Sequence, residues 1–97
     1  MLFRSVQRVV AVKYSVDVKD LKGQQRTASI TMPRQVAMYL CCVMTEMSST
    51  DIGRVFGGKD HSTVLHARKK IEKKIEEDPF FLELINRLQA DIKAAER

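Results

Sequence analysis

The stretch Gly57-Gly58-Lys59-Asp60-His61-Ser62-Thr63-Val64-Leu65-His66-Ala67 decides how the rest of this 97-residue chain is read. Two glycines mark a turn, and Asp60 is a favourable N-cap, so the segment predicts a helix that starts there. The first turn of that helix offers a carboxylate, an imidazole and two hydroxyls, and no apolar residue precedes Val64. The basic runs Arg68-Lys69-Lys70 and Lys73-Lys74 follow. A helix that enters a DNA major groove has this layout, with short hydrogen-bonding side chains at its tip and cations along its flank. At helical spacing, Val64, Ala67, Ile71 and Ile75 share one face, while Ser62, His66, Lys69 and Lys73 take the opposite one.

Just upstream, Ser48-x-x-Asp51 has the form of a capping box, with Asp in the place of the usual Glu. It opens a short helix through Ile52, Val55 and Phe56. Two helices joined by a glycine turn, the pair spanning about residues 49–77, meet the requirement of a helix-turn-helix, with Gly53 at a close-packing position between them. Downstream, Pro79 stops the second helix or starts the next, which runs over about residues 80–95 with Phe81, Leu84, Ile85, Leu88 and Ile92 on one stripe. Further upstream, Pro33 is read as the first residue of a helix whose inward stripe is Val36, Ala37, Leu40, Cys41 and Met44. The polar segment over about residues 22–32 lacks periodicity apart from Ile30, and reads as a basic loop with Lys22, Arg26 and Arg34 at its edges. Leu2, Phe3, Val6, Val9, Val10 and Tyr14 predict a first helix ending near Ser15, and Asp17 and Asp20 bracket a short helical turn closed by Gly23. No strand pattern or repeat appears. The expectation is an all-α, compact domain of about six helices over residues 1–97.

Charge divides the chain in two. Residues 1–75 carry 14 Lys/Arg against 6 Asp/Glu, and residues 76–97 carry 3 against 6. The basic part is expected to meet a polyanion and the acidic C-terminal helix is not. No run of about 18 apolar residues and no secretory signal pattern is present, so no membrane role is expected. The adjacent Cys41 and Cys42 suit neither a local disulfide nor a two-pair zinc site, and read as reduced thiols packed in a cytoplasmic protein, with no metal. An enzyme is not expected: Cys41 lies on an apolar stripe, Ser62 and His66 have no orienting acid, and there is no Gly-x-x-x-x-Gly-Lys-Ser/Thr loop. The residues alone leave open a sequence-specific DNA reader, a nonspecific nucleic-acid binder, and a helical module whose basic face meets an acidic protein.

The run Pro33-Arg34-Gln35-Val36-Ala37-Met38-Tyr39-Leu40, then Ile52-Gly53, then Phe56 through Ala67, resembles the C-terminal DNA-binding domain of the DnaA family of bacterial chromosomal replication initiators. The likeness runs in order along essentially the whole chain, and its Phe56–Ala67 block is very specific. It implies a double-stranded DNA binder that reads short asymmetric boxes at a replication origin. The second helix of the helix-turn-helix would enter the major groove, and an arginine of the loop before the central helix would enter the adjacent minor groove. By position, that arginine is Arg26. Asp60, His61, Ser62 and Thr63 would meet base edges or thymine methyls, Lys59 and His66 the adjoining backbone, and Arg34 and Gln35 the phosphates. The chain departs from the family at Gln24, Gln25, Ala28 and Met32, where cations are common, and at Thr50, where a proline often touches a thymine methyl. Ser62 replaces a more usual threonine. The resemblance also implies a chain that is a fragment, monomeric when isolated, without a cofactor of its own. ATP would belong to a motor domain elsewhere in the initiator, and regulatory protein partners are possible.

Overall fold

The computed structural model describes residues 1–96, which form six helices: α1 (Leu2–Tyr14), α2 (Val18–Lys22), α3 (Ala28–Met44), α4 (Ser49–Val55), α5 (His61–Glu77) and α6 (Pro79–Ala95). The fold is all-α. The central helix is α3, which packs against α1, α2, α4 and α5, while α6 lies against α1 and α5. The apolar stripes read from the sequence meet in one core. Val6, Val10, Val36, Leu40, Cys41, Ile52, Phe56, Val64, Ile71, Ile85, Leu88 and Ile92 are each at most 2% exposed.

Each helix boundary has a local cause. α1 ends where Ser15 takes a left-handed conformation (φ 56°), and the backbone folds back through Val16 N donating to Ala11 O at 2.9 Å. Asp17 N donates to the Asp20 carboxylate at 3.2 Å, which starts α2. Ser48 Oγ accepts from Asp51 N at 3.1 Å, the first half of the expected capping box. The Asp51 carboxylate turns instead to Arg54 at 3.2 Å. Asp78 both closes α5 and opens α6, accepting from Phe80 N and Phe81 N, with Pro79 at the first helical position where a missing N–H is harmless.

One boundary differs from expectation. Pro33 does not open α3; the helix starts five residues earlier, at Ala28, and the segment read as a loop over about residues 22–32 shrinks to residues 23–27. Thr27 O accepts from Ile30 N and Thr31 N, so the first turn closes without proline. Ile30 supplies the reason: it is 8% exposed and in phase with Pro33, Ala37, Leu40 and Cys41, all buried. Its burial extends the inward stripe by a full turn. Pro33 removes only the bond to the carbonyl of Ser29, an exposed residue near the helix start.

The α4–α5 turn depends on backbone that only glycine fits. Gly53 O accepts from Phe56 N, Gly58 N and Lys59 N, which folds the chain back on itself. A Cβ on Gly53 would stand 2.1 Å from Lys59 O, so the expected close-packing role is a backbone contact. Gly57 (φ 87°) and Gly58 (φ 79°) are both left-handed. A Cβ on Gly57 would also stand 1.9 Å from Lys22 O, whereas one on Gly58 meets nothing within 4 Å. Gly58→Ala is therefore expected to lose about 1–2 kcal/mol through backbone strain alone. Gly57→Ala should lose about 3 kcal/mol or more, because strain and steric overlap combine. Urea unfolding of the two variants checks this, and equal losses would contradict the close approach.

Candidate nucleic-acid interface

The tip of α5 is exposed and polar. Asp60, His61, Ser62, Thr63 and His66 are all exposed, and Val64 and Ala67 on the other face are buried. Asp60 caps the helix as expected, its carboxylate accepting from Ser62 N at 3.5 Å and standing 3.0 Å from His61 Nδ1. The Ser62 hydrogen bonds hold the Asp60 carboxyl below the usual carboxylate range, with a smaller push from His61. Asp60 is thus an acceptor at neutral pH, held by the same contact that starts the helix.

Beside the tip lies a cleft of about 550 Å³. Arg26, Thr31 and Gln35 line one side, and Asp60, Thr63 and His66 the other, with Arg34 and Lys59 also contributing to its wall. Folding brings residues 26–35 against residues 59–66, which the sequence places some thirty positions apart. Two buried polar atoms here, Thr31 Oγ1 and Gln35 Oε1, have no hydrogen-bond partner among the described residues. Such orphans are uncommon in folded proteins. His61, Ser62 and Thr50 stand outside the cleft lining, the first two on the open face of the α5 tip and Thr50 at the exposed start of α4. Thr31 was not picked out from the sequence; the phase of Ile30 with the α3 stripe was the available signal.

Two of the residues expected at the DNA backbone, Arg34 and Lys59, already have partners within the protein. Arg34 is 7% exposed, and its guanidinium is spent on backbone carbonyls: Nε donates to Leu21 O at 2.9 Å, Nη1 to Gln25 O at 2.7 Å and Nη2 to Asp20 O at 2.7 Å. Burial pulls its pKa down and the Asp20 carboxylate partly restores it. Lys59 Nζ likewise donates to Gly23 O at 2.6 Å, Phe56 O at 2.8 Å and Lys22 O at 3.2 Å. Its pKa is lowered by burial and then by the Arg34 charge. The physical reason is the end of α2, whose carbonyls lack helical partners and are met by cations from α3 and the α4–α5 turn. Arg26, by contrast, lies on the exposed loop.

Behind the tip, the flank of α5 is only lightly paired. Arg68 Nε meets Glu72 at 3.3 Å and Lys73 Nζ meets Glu77 at 3.9 Å, both exposed pairs worth little in water. The Cys41 thiol is pushed up to about 12 by burial, and then by Cys42, so it is a packed, protonated group. Among the described residues no helix is long and apolar enough to cross a membrane.

A short helix, a tight turn and a longer helix with a free polar tip make this a helix-turn-helix protein of the DNA-binding class. Residues 3–71 match the family described as bacterial dnaA protein helix-turn-helix, and the chain belongs to that family. Over 88 residues it is 47% identical to the chromosomal replication initiator protein DnaA of Treponema denticola, an alignment covering 91% of this chain and 19% of that protein. The chain therefore spans about a fifth of the length of that relative.

The Asp60 cap gives a pH test. A carboxyl with a lowered folded-state pKa stabilises fully above its unfolded value, and the contribution disappears as pH falls through the folded value. The thermal midpoint of the wild type should therefore drop relative to Asp60→Asn on acidification through and below the usual carboxylate range. Asn retains the cap geometry without a titrating proton. A constant difference between the two melting curves at every pH would show that the charge contributes nothing.

Proposed function

We propose that this chain binds double-stranded DNA sequence-specifically at short asymmetric boxes of a replication origin, with the α5 tip in the major groove and Arg26 in the adjacent minor groove. The observation that carries this reading is the cleft shared by an exposed loop arginine and an exposed polar helix tip. The likeness to the chromosomal replication initiator protein DnaA of Treponema denticola supports the setting of chromosomal replication initiation.

Each side chain suits its part. The ionised Asp60 can accept from a cytosine amino group, and the edge of His61 or the methyl of Thr63 can lie on a thymine methyl. Ser62 and Thr50 offer a hydroxyl, and Thr50 also a methyl, toward the same groove. His66 and Gln35 border the cleft through which a sugar-phosphate strand would pass between the grooves. An arginine in a narrow A·T-rich minor groove gains from the negative potential there. In this reading the isolated chain acts as a monomer in the cytoplasm, holds no cofactor and performs no catalysis. ATP and its hydrolysis belong to another part of a longer initiator.

The test is a duplex selected by the wild-type chain from a random-sequence pool, compared with its scrambled version and with single strands at two salt concentrations. Arg26→Ala and His61→Ala are each expected to lose about 1–3 kcal/mol on the selected duplex. Equal wild-type affinity for selected and scrambled duplexes would refute the reading, and a steep salt slope alongside that equality would leave nonspecific binding in its place.

A further inference from the structure

The loop that carries Arg26 is short and outward-facing: residues 24–29 are all exposed. The backbone leading up to Arg26 is nevertheless held, from Asp20 to Gln25, by cations that come from elsewhere. Arg34, one turn into the body of α3, grips Asp20 O and Leu21 O at the end of α2 and Gln25 O next to Arg26. Lys59, the residue immediately before the Asp60 cap, grips Lys22 O and Gly23 O while holding Phe56 O of its own turn. Gly57 approaches Lys22 O so closely that no Cβ fits between them. The loop is thus fastened to the segment that launches the α5 tip, by one ammonium and one backbone contact.

Building on the DNA-binding reading of Arg26, we infer that Lys59, with Arg34 behind it, is a positioning residue. It fixes the distance and direction of Arg26 relative to Asp60–Thr63, so that the two grooves are read in a single register. Its charge is consumed inside the protein and does not grip a phosphate. An exposed five-residue loop left to itself would lose conformational freedom on meeting DNA, and that ordering would subtract from affinity. With the carbonyls of Gly23 and Gln25 already held, Arg26 is presented in place before DNA arrives. The roles of the two cations differ in kind from those of Arg26 and of the lysines along α5: removing them perturbs where a contact falls, and removes no contact with the nucleic acid itself.

A double-mutant cycle separates positioning from contact. The probe is the duplex selected from a random pool by the wild-type 97-residue chain. Lys59→Met is expected to weaken its binding about tenfold or more in the wild-type background, and less than about twofold when Arg26 is already alanine. In that second background the slope of log K against log salt should not change. An additive loss with the slope falling by about 0.9 would make Lys59 a phosphate contact and overturn the inference. Arg26→Ala without effect on its own would instead remove the reading on which it rests. Acylation of the wild type needs no variant that must fold: Lys59 should react slowly in the free chain and no more slowly with duplex bound. Fast labelling of the free chain that DNA suppresses would overturn the assignment.

Discussion

Lys59 Nζ lies within hydrogen-bond distance of three backbone carbonyls, and two of them belong to a segment more than thirty residues away in sequence. An ammonium has three donors and no acceptor, so this geometry uses its full capacity. The rest of the interface depends on that arrangement and on the parallel one at Arg34. Between them they satisfy the open carbonyl end of α2, hold the start of the loop that follows and contribute to the wall of the cleft. Gly57 is part of the same constraint, since any side chain there would overlap Lys22 O, one of the carbonyls that Lys59 holds.

The fold follows from how the apolar stripes and caps agree. Val64, Ala67 and Ile71 on α5 and Ala37, Leu40 and Cys41 on α3 are buried in one core, while Gln7 reaches from α1 to Val55 O at 2.9 Å and ties the helix-turn-helix to the first helix. Caps at Ser48 and Asp60 start two helices where apolar periodicity begins. These features were legible because they are local: a cap and a stripe lie within a few residues of one another. The Pro33 boundary was less so. Proline at a first helical position is a good prior, and here the weaker-looking signal, a single Ile30 in phase with the stripe, outweighed it.

The candidate site divides along the same line. The polar tip of α5 was readable from spacing, because the core face identifies its opposite. Arg34 and Lys59 were not, since cations in a basic chain look alike until the carbonyls they meet are known. Burial distinguishes them: Arg34 is buried and Lys59 half-buried, whereas Arg26 and the lysines at 69, 70 and 73 are exposed. Residues 20–25 supply the partners, and nothing in the local sequence around Arg34 or Lys59 announces that contact.

On the proposed reading, the inward use of these two charges bears on how the domain would tell one DNA sequence from another. Nonspecific attraction to DNA grows with the number of phosphates neutralised, whereas selection depends on a few contacts with base edges. Two cations engaged with backbone carbonyls would, on that reading, add less to the first quantity than free ones and leave the second intact. On the proposed reading, selection of a correct site would rest on the geometry of the α5 tip and Arg26, and general attraction to DNA on the exposed cations of α5. A protein that must occupy a handful of sites among a great excess of others is served by that ratio, and a carbonyl clamp buried beneath a loop is one way to obtain it.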